Sequence, residues 1–89
     1  MYEVTFTSRA TREFGKLSLE NQEHLSDAID HLAENPRPTG VKKLGGIKHR
    51  IRVGDWRIIY AISDRDRLVL IGKITRRSED TYKDLDGLF

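Results

Sequence analysis

The sequence predicts an α+β fold: two N-terminal helices packed on one face of a small, mostly antiparallel β-sheet, in the order βααβββ with a short C-terminal tail or helix. Three observations predict it. The N-terminus alternates apolar and polar residues over a strand length, two capped stretches with helical apolar spacing follow, and from His49 onward the alternation returns in runs broken by short polar loops. The chain of 89 residues allows one domain, 1–89, and a chain of this size buries roughly 60–65% of its unfolded surface. With 37% apolar and 34% charged residues the composition is that of a globular protein rather than a disordered one.

Tyr2-Glu3-Val4-Thr5-Phe6 reads as a half-buried strand. Thr7 or Ser8 caps a first helix carrying Ala10, Phe14 and Leu17 at helical spacing, with Gly15 weakening its last turn. Ser18 caps a second, whose stripe is Leu25, Ala28, Ile29, Leu32 and Ala33. Asn35-Pro36 stops it, because proline disfavours the helical conformation of the residue before it. Arg37 to Gly40 is a loop, Val41 to Leu44 a brief strand, and Gly45-Gly46 a break. His49 to Val53 and Trp56 to Ile62 are strands joined by Gly54-Asp55, a two-residue hairpin signal. A loop around Ser63 to Asp66 leads to a last strand, about Leu68 to Ile74, and a polar tail, Ser78 to Leu88.

Composition excludes several classes. There is no cysteine, hence no disulfide framework and no thiolate metal site, which suits a cytoplasmic protein. The longest strictly apolar run, Leu68 to Ile71, is far short of the roughly 20 residues that span a membrane. Met1-Tyr2-Glu3 has neither region of a signal peptide. The formal net charge of +2 conceals an asymmetry: residues 1–41 hold four basic and seven acidic side chains, residues 42–89 twelve and seven. Between 42 and 57, Lys42, Lys43, Lys48, Arg50, Arg52 and Arg57 face only Asp55. Such clustering points to a polyanion partner.

The hairpin locates the cluster. With Gly54-Asp55 as the loop, Val53 pairs with Trp56, Arg52 with Arg57 and Ile51 with Ile58. One face then holds Ile51, Val53, Trp56, Ile58, Tyr60 and Ile62, a core surface for the helices. The other holds Arg50, Arg52, Arg57, Ile59 and Ala61. Directly opposed like charges destabilise a sheet, so three guanidiniums gathered on one face suit an anion, which arginine grips with a bidentate fork. A loop of odd length after Ile62 sets Leu68, Leu70, Gly72 and Ile74 on the core face, and Val69, Ile71, Lys73, Thr75 and Arg77 on the arginine face. An even loop brings Arg76 across and buries Lys73. The odd loop is the expectation, and with it an apolar patch of Ile59, Val69 and Ile71 beside the cations. His24 and His31 lack a further ligand in register, His49 alternates onto the core side, and Trp56 reads as core.

Lys43-Leu44-Gly45-Gly46 followed by His49-Arg50-Ile51-Arg52-Val53-Gly54-Asp55-Trp56-Arg57-Ile58-Ile59-Tyr60 resembles the signature of the RelE/ParE superfamily of bacterial toxin–antitoxin toxins. The opening strand, the helical pair ending in Leu32-Ala33-Glu34-Asn35-Pro36 and the ending Arg76-Arg77 to Tyr82 extend the resemblance through nearly the whole chain. Its RelE-like branch, favoured here, implies an endoribonuclease that needs no metal or other cofactor. It cleaves messenger RNA in the A site of the 70S ribosome, through attack of the ribose 2′-hydroxyl on the adjacent phosphate. By the same resemblance Arg50 and Arg52 match the two basic groups of the first hairpin strand and Arg57 the central arginine of the second. Arg77 (or Arg76) matches the late arginine and Tyr82 the C-terminal tyrosine; all these are the expected catalytic group. Lys43, Lys48, Lys73 and Arg76 are expected to bind RNA phosphates. Arg76 stands where the family often has histidine or lysine, and the spacing to Tyr82 is longer than in the commoner form. The expected partners are a cognate antitoxin and ribosome-bound message, not a membrane. The ParE-like branch implies instead a DNA gyrase inhibitor without nuclease activity, and a plain RNA-holding module is a third reading.

Overall fold

Both helix starts fall at the hydroxyls that predict them. A computed structural model describes residues 1–76 and 89; Arg77, Tyr82 and the tail expected over Ser78 to Leu88 lie outside the described residues. Within them the elements are β1 (Glu3–Phe6), α1 (Ser8–Gly15), α2 (Leu19–Glu34), β2 (Lys42–Gly45), β3 (Lys48–Val53), β4 (Trp56–Ser63) and β5 (Leu68–Arg76). The Thr7 hydroxyl accepts from the Ala10 N–H at 3.1 Å and the Ser18 hydroxyl from the Asn21 N–H at 3.2 Å. Each cap contributes about 1 kcal/mol by satisfying a helix-end donor. Helix α2 ends as Asn35 turns extended (φ −143°, ψ 98°) ahead of Pro36. The brief strand after the loop is present as β2, so four strands follow the helices rather than three.

The five strands form one sheet in the order β1-β5-β4-β3-β2, antiparallel except for β1 beside β5. Both helices lie on one face. Ala10 of α1 and Leu25, Ile29 and Leu32 of α2 pack on Val53, Ile58, Tyr60, Ile62, Val69, Ile71 and Ile74. Tyr60 is wholly buried, and its hydroxyl donates to the Pro36 carbonyl at 2.7 Å, fastening the loop after α2 to β4. Burial pushes that phenol well above its ordinary pKa. At the surface Arg37 grips both oxygens of Asp64, at 3.0 and 2.9 Å, and the Tyr2 hydroxyl donates to one of them at 2.5 Å. The Arg37 guanidinium, helped by Tyr2, holds the Asp64 carboxyl down to about 2.

The last strand corrects the expected alternation. Val69 pairs with Ile62 and Ile71 with Tyr60, so Val69 and Ile71 belong to the core face and Leu68 and Leu70 to the other, the reverse of the odd-loop expectation. A bulge at Gly72 then inserts one residue between the Tyr60–Ile71 and Ile59–Lys73 pairs. An extra residue flips every side chain beyond it. Lys73 and Thr75 thereby reach the arginine face, as expected, although the loop parity is even. The apolar members of that face are Ile59, Ala61, Leu68 and Leu70, not Val69 and Ile71.

Helix α1 also closes an edge. Strand β1 pairs with β5 only as far as Ile71, so among the described residues no strand pairs with the outer backbone of Gly72 to Arg76. The Thr7 N–H donates to the Ile71 carbonyl at 2.9 Å, and the Ile74 N–H donates to the Glu13 carboxylate at 2.9 Å. A side chain from the helix thus takes the place of a strand on an edge that otherwise invites pairing. Replacing Glu13 with alanine strands the Ile74 amide and is expected to cost about 1–3 kcal/mol in a urea titration, with Glu13→Gln, which keeps an acceptor, closer to the parent. An alanine variant as stable as the parent contradicts this role.

Candidate phosphate-binding face

The basic face is built by the turn at Gly54-Asp55. Gly54 has φ +60° and Asp55 is not left-handed, the pattern of a type II′ turn with glycine first. That two-residue loop sets Val53 against Trp56, Arg52 against Arg57, Ile51 against Ile58 and Arg50 against Ile59. Arg50, Arg52 and Arg57 therefore share the face away from the helices. Lys48, paired with Ala61, joins them from the start of β3, and Lys73, paired with Ile59, from β5. Thr75 lies opposite Arg57.

Burial divides the group. Arg52 is exposed and Lys48 half-buried, whereas Arg50, Arg57 and Lys73 retain 8%, 6% and 4% of their surface, beside fully buried Ile59. An Nη of Arg57 donates to the Trp56 carbonyl at 3.4 Å. Buried charges on an apolar floor interact with an anion in a lower effective dielectric than surface charges do, which strengthens the attraction.

Two residues grouped with these in the sequence stand elsewhere. Arg76 pairs with Trp56 and so faces the helices, its guanidinium 4.9 Å from the centre of the Trp56 ring. Lys43 pairs with His49, again on the helix side. His49 itself is buried there, stacked on Tyr60 at 5.8 Å between ring centres. One cation of the basic run had no face assigned from the sequence. Lys42 pairs with Arg50 and so belongs to the basic face. Strand alternation offered the signal, but a four-residue strand with its own register shift between Lys43 and Gly45 gives no fixed phase until its partner is known. Among the described residues no three histidine, aspartate or glutamate side chains converge as a metal site.

A family model described as the ParE toxin of the type II toxin–antitoxin system parDE matches residues 4–81. The chain belongs to the RelE/ParE toxin superfamily. Within it this RelE-like toxin is 31% identical over 87 residues to a curated relative of Methanocaldococcus jannaschii named RelE1, covering 92% of this chain and 96% of that one. The RelE of Pyrococcus horikoshii, solved in its complex with RelB, superimposes with a TM-score of 0.79 at 26% identity, over 88% of this chain and 97% of the other. The isolated Escherichia coli RelE toxin shares the fold, with a TM-score of 0.79 at 23% identity over 91% and 89% of the two chains.

The turn carries a testable consequence for this toxin. A Cβ on Gly54 meets only the His24 ring nitrogen, at an ordinary 3.6 Å, so its cost is that of the left-handed backbone. Gly54→Ala is expected to lose about 1–2 kcal/mol in denaturant unfolding. No loss contradicts the turn assignment.

Proposed function

We propose that this toxin is a metal-independent endoribonuclease that cleaves messenger RNA in the ribosomal A site and so arrests translation. The observation that carries the reading is the gathering of Arg50, Arg52 and Arg57 on one face, with Arg52 directly opposite Arg57. Two directly opposed guanidiniums repel each other, and a phosphate between them gains several charge-assisted hydrogen bonds. The likeness to RelE proteins supports the same reading.

Cleavage by the 2′-hydroxyl has three requirements: a proton must leave that hydroxyl, a dianionic phosphorane must be stabilised, and the departing 5′-oxygen must be protonated. Arginines meet the second directly, and removal of one preorganised donor of this kind typically costs about 10²–10³ in rate. Arg57 and Arg77 stabilise the phosphorane, and Arg77 protonates the leaving oxygen. Arg50 and Arg52 hold the flanking phosphate and polarise the nucleophile, and Lys42, Lys48 and Lys73 add attraction for the strand. Tyr82 serves as base or positions a nucleotide; as base its phenol, ordinarily near 10, requires a lowered pKa. Lys43 and Arg76, on the helix side, stand apart from this chemistry. The partner in the absence of message is a cognate antitoxin, as in the complexes of RelE with RelB, and the site of action is the cytoplasm, with the ribosomes.

The family model named for ParE favours a second reading, inhibition of DNA gyrase without nuclease activity. Primer extension on ribosome-bound message, run beside a gyrase supercoiling assay, separates the two. Cleavage in the A site, reduced about 10²-fold or more by Arg57→Ala, is the expected result. Undiminished cutting by that variant removes the assignment, and gyrase inhibition without cutting replaces it.

A further inference from the structure

On the helix side of the sheet, beside the loop that follows α2, lies a second cationic cleft of about 480 Å3. Its polar floor is His49, 5% exposed. The ring Nδ1 lies 2.9 Å from the Ile47 carbonyl oxygen, which also accepts the Ile62 N–H at 3.1 Å. A carbonyl only accepts, so Nδ1 carries the proton and Nε2 of the neutral ring is an acceptor. Among the described residues no hydrogen bond engages Nε2, although the ring is pinned by Ile47 on one side and stacked on Tyr60.

The charges around this floor are unequal. Arg37 and Asp64 neutralise each other through two hydrogen bonds. Lys43 and Arg65 line the same cleft, both exposed, and no carboxylate of the described residues forms a salt bridge with either. Ile47, 55% exposed, offers an apolar wall. The cleft thus presents two cations for an anion, an acceptor for a donor group and an apolar surface for a flat body.

We propose that this cleft binds a ribonucleotide through its phosphate, at Lys43 and Arg65, with a base amino group donated to His49 Nε2 and the base against Ile47. The preference for a nucleotide over another phosphate ester rests on the ribonuclease reading. Its position fits an RNA strand. Strand β2 is the edge of the sheet, and its neighbouring lysines point to opposite faces, Lys42 with Arg50 on the basic face and Lys43 with His49 at the cleft. A strand crossing this edge meets both.

The test is titration of the 15N-labelled full chain with adenosine 5′-monophosphate, adenosine and inorganic phosphate. The monophosphate is expected to shift the amides of Gly46, Ile47 and Arg65, and the double variant K43A/R65A, altered only at exposed side chains, to bind about tenfold or more weakly. His49→Phe keeps the stacked ring but loses the acceptor, and is expected to weaken the monophosphate while leaving phosphate unchanged. Absence of shifts at millimolar monophosphate, shifts indifferent to K43A/R65A, or phosphate binding as tightly as the nucleotide overturns the proposal. A 2′-O-methylated triadenylate distinguishes the source: tighter binding that Arg52→Ala removes identifies a strand spanning both faces, and equal binding identifies a free nucleotide. Failure of the cleft to bind while Arg57→Ala still blocks message cleavage ends this inference alone. Binding in the cleft with undiminished cleavage by Arg57→Ala ends the ribonuclease assignment alone.

Discussion

Everything on the two faces of the sheet depends on the register between β3 and β4, and the Gly54-Asp55 turn sets that register. Side chains alternate with a period of two, so a slip by one residue would send Arg50 and Arg52 into the helices and Ile51 and Val53 into water. The core on one side and the cations on the other are consequences of one constraint. Gly54, in a conformation that other L-residues adopt only at a cost, holds it at the tip. Along the strands, Ile51 and Ile58 pair beneath the helices and hold it from within.

The same register creates a conflict. Arg52 and Arg57 oppose each other, and Arg50, Arg57 and Lys73 are nearly withdrawn from solvent. Like charges facing one another repel, and burying a charge is costly unless it is paired and hydrogen-bonded. A fold of this size has little margin for such expense. The opposite face shows the contrary economy: helix caps, the Glu13 lock on Ile74 and the Tyr60 hydroxyl on Pro36 all leave backbone groups satisfied.

How far the chain could be read beforehand follows from which signals are local. The caps at Thr7 and Ser18, the stop at Asn35-Pro36 and the two-residue hairpin are encoded within a few residues, and each is found in place. The face of β5 is not local. The odd loop, expected because it keeps Lys73 out of the core, assigns Val69 and Ile71 wrongly; the loop is even, and the bulge at Gly72 is what returns Lys73 to the arginine face, a lone glycine inside a strand being the faint sign of it. The face of Lys42 is undetermined in the sequence for a related reason, since a short edge strand has no phase without its neighbour. Of the expected catalytic group, Arg50, Arg52 and Arg57 are brought to one face, and Arg77 and Tyr82 fall outside the described residues.

The central claim is that the arginine pair is retained for an anion and against the interest of the fold. Arg52 is exposed, so its replacement removes charge without opening a cavity. The direct measurement is the urea unfolding free energy of Arg52→Thr, taken with its cleavage of ribosome-bound message. Threonine suits a strand and relieves the repulsion, so the account predicts a gain of some tenths of a kcal/mol together with a loss of cleavage. A variant that is less stable than the parent, or one that gains stability and cuts as well as before, contradicts it.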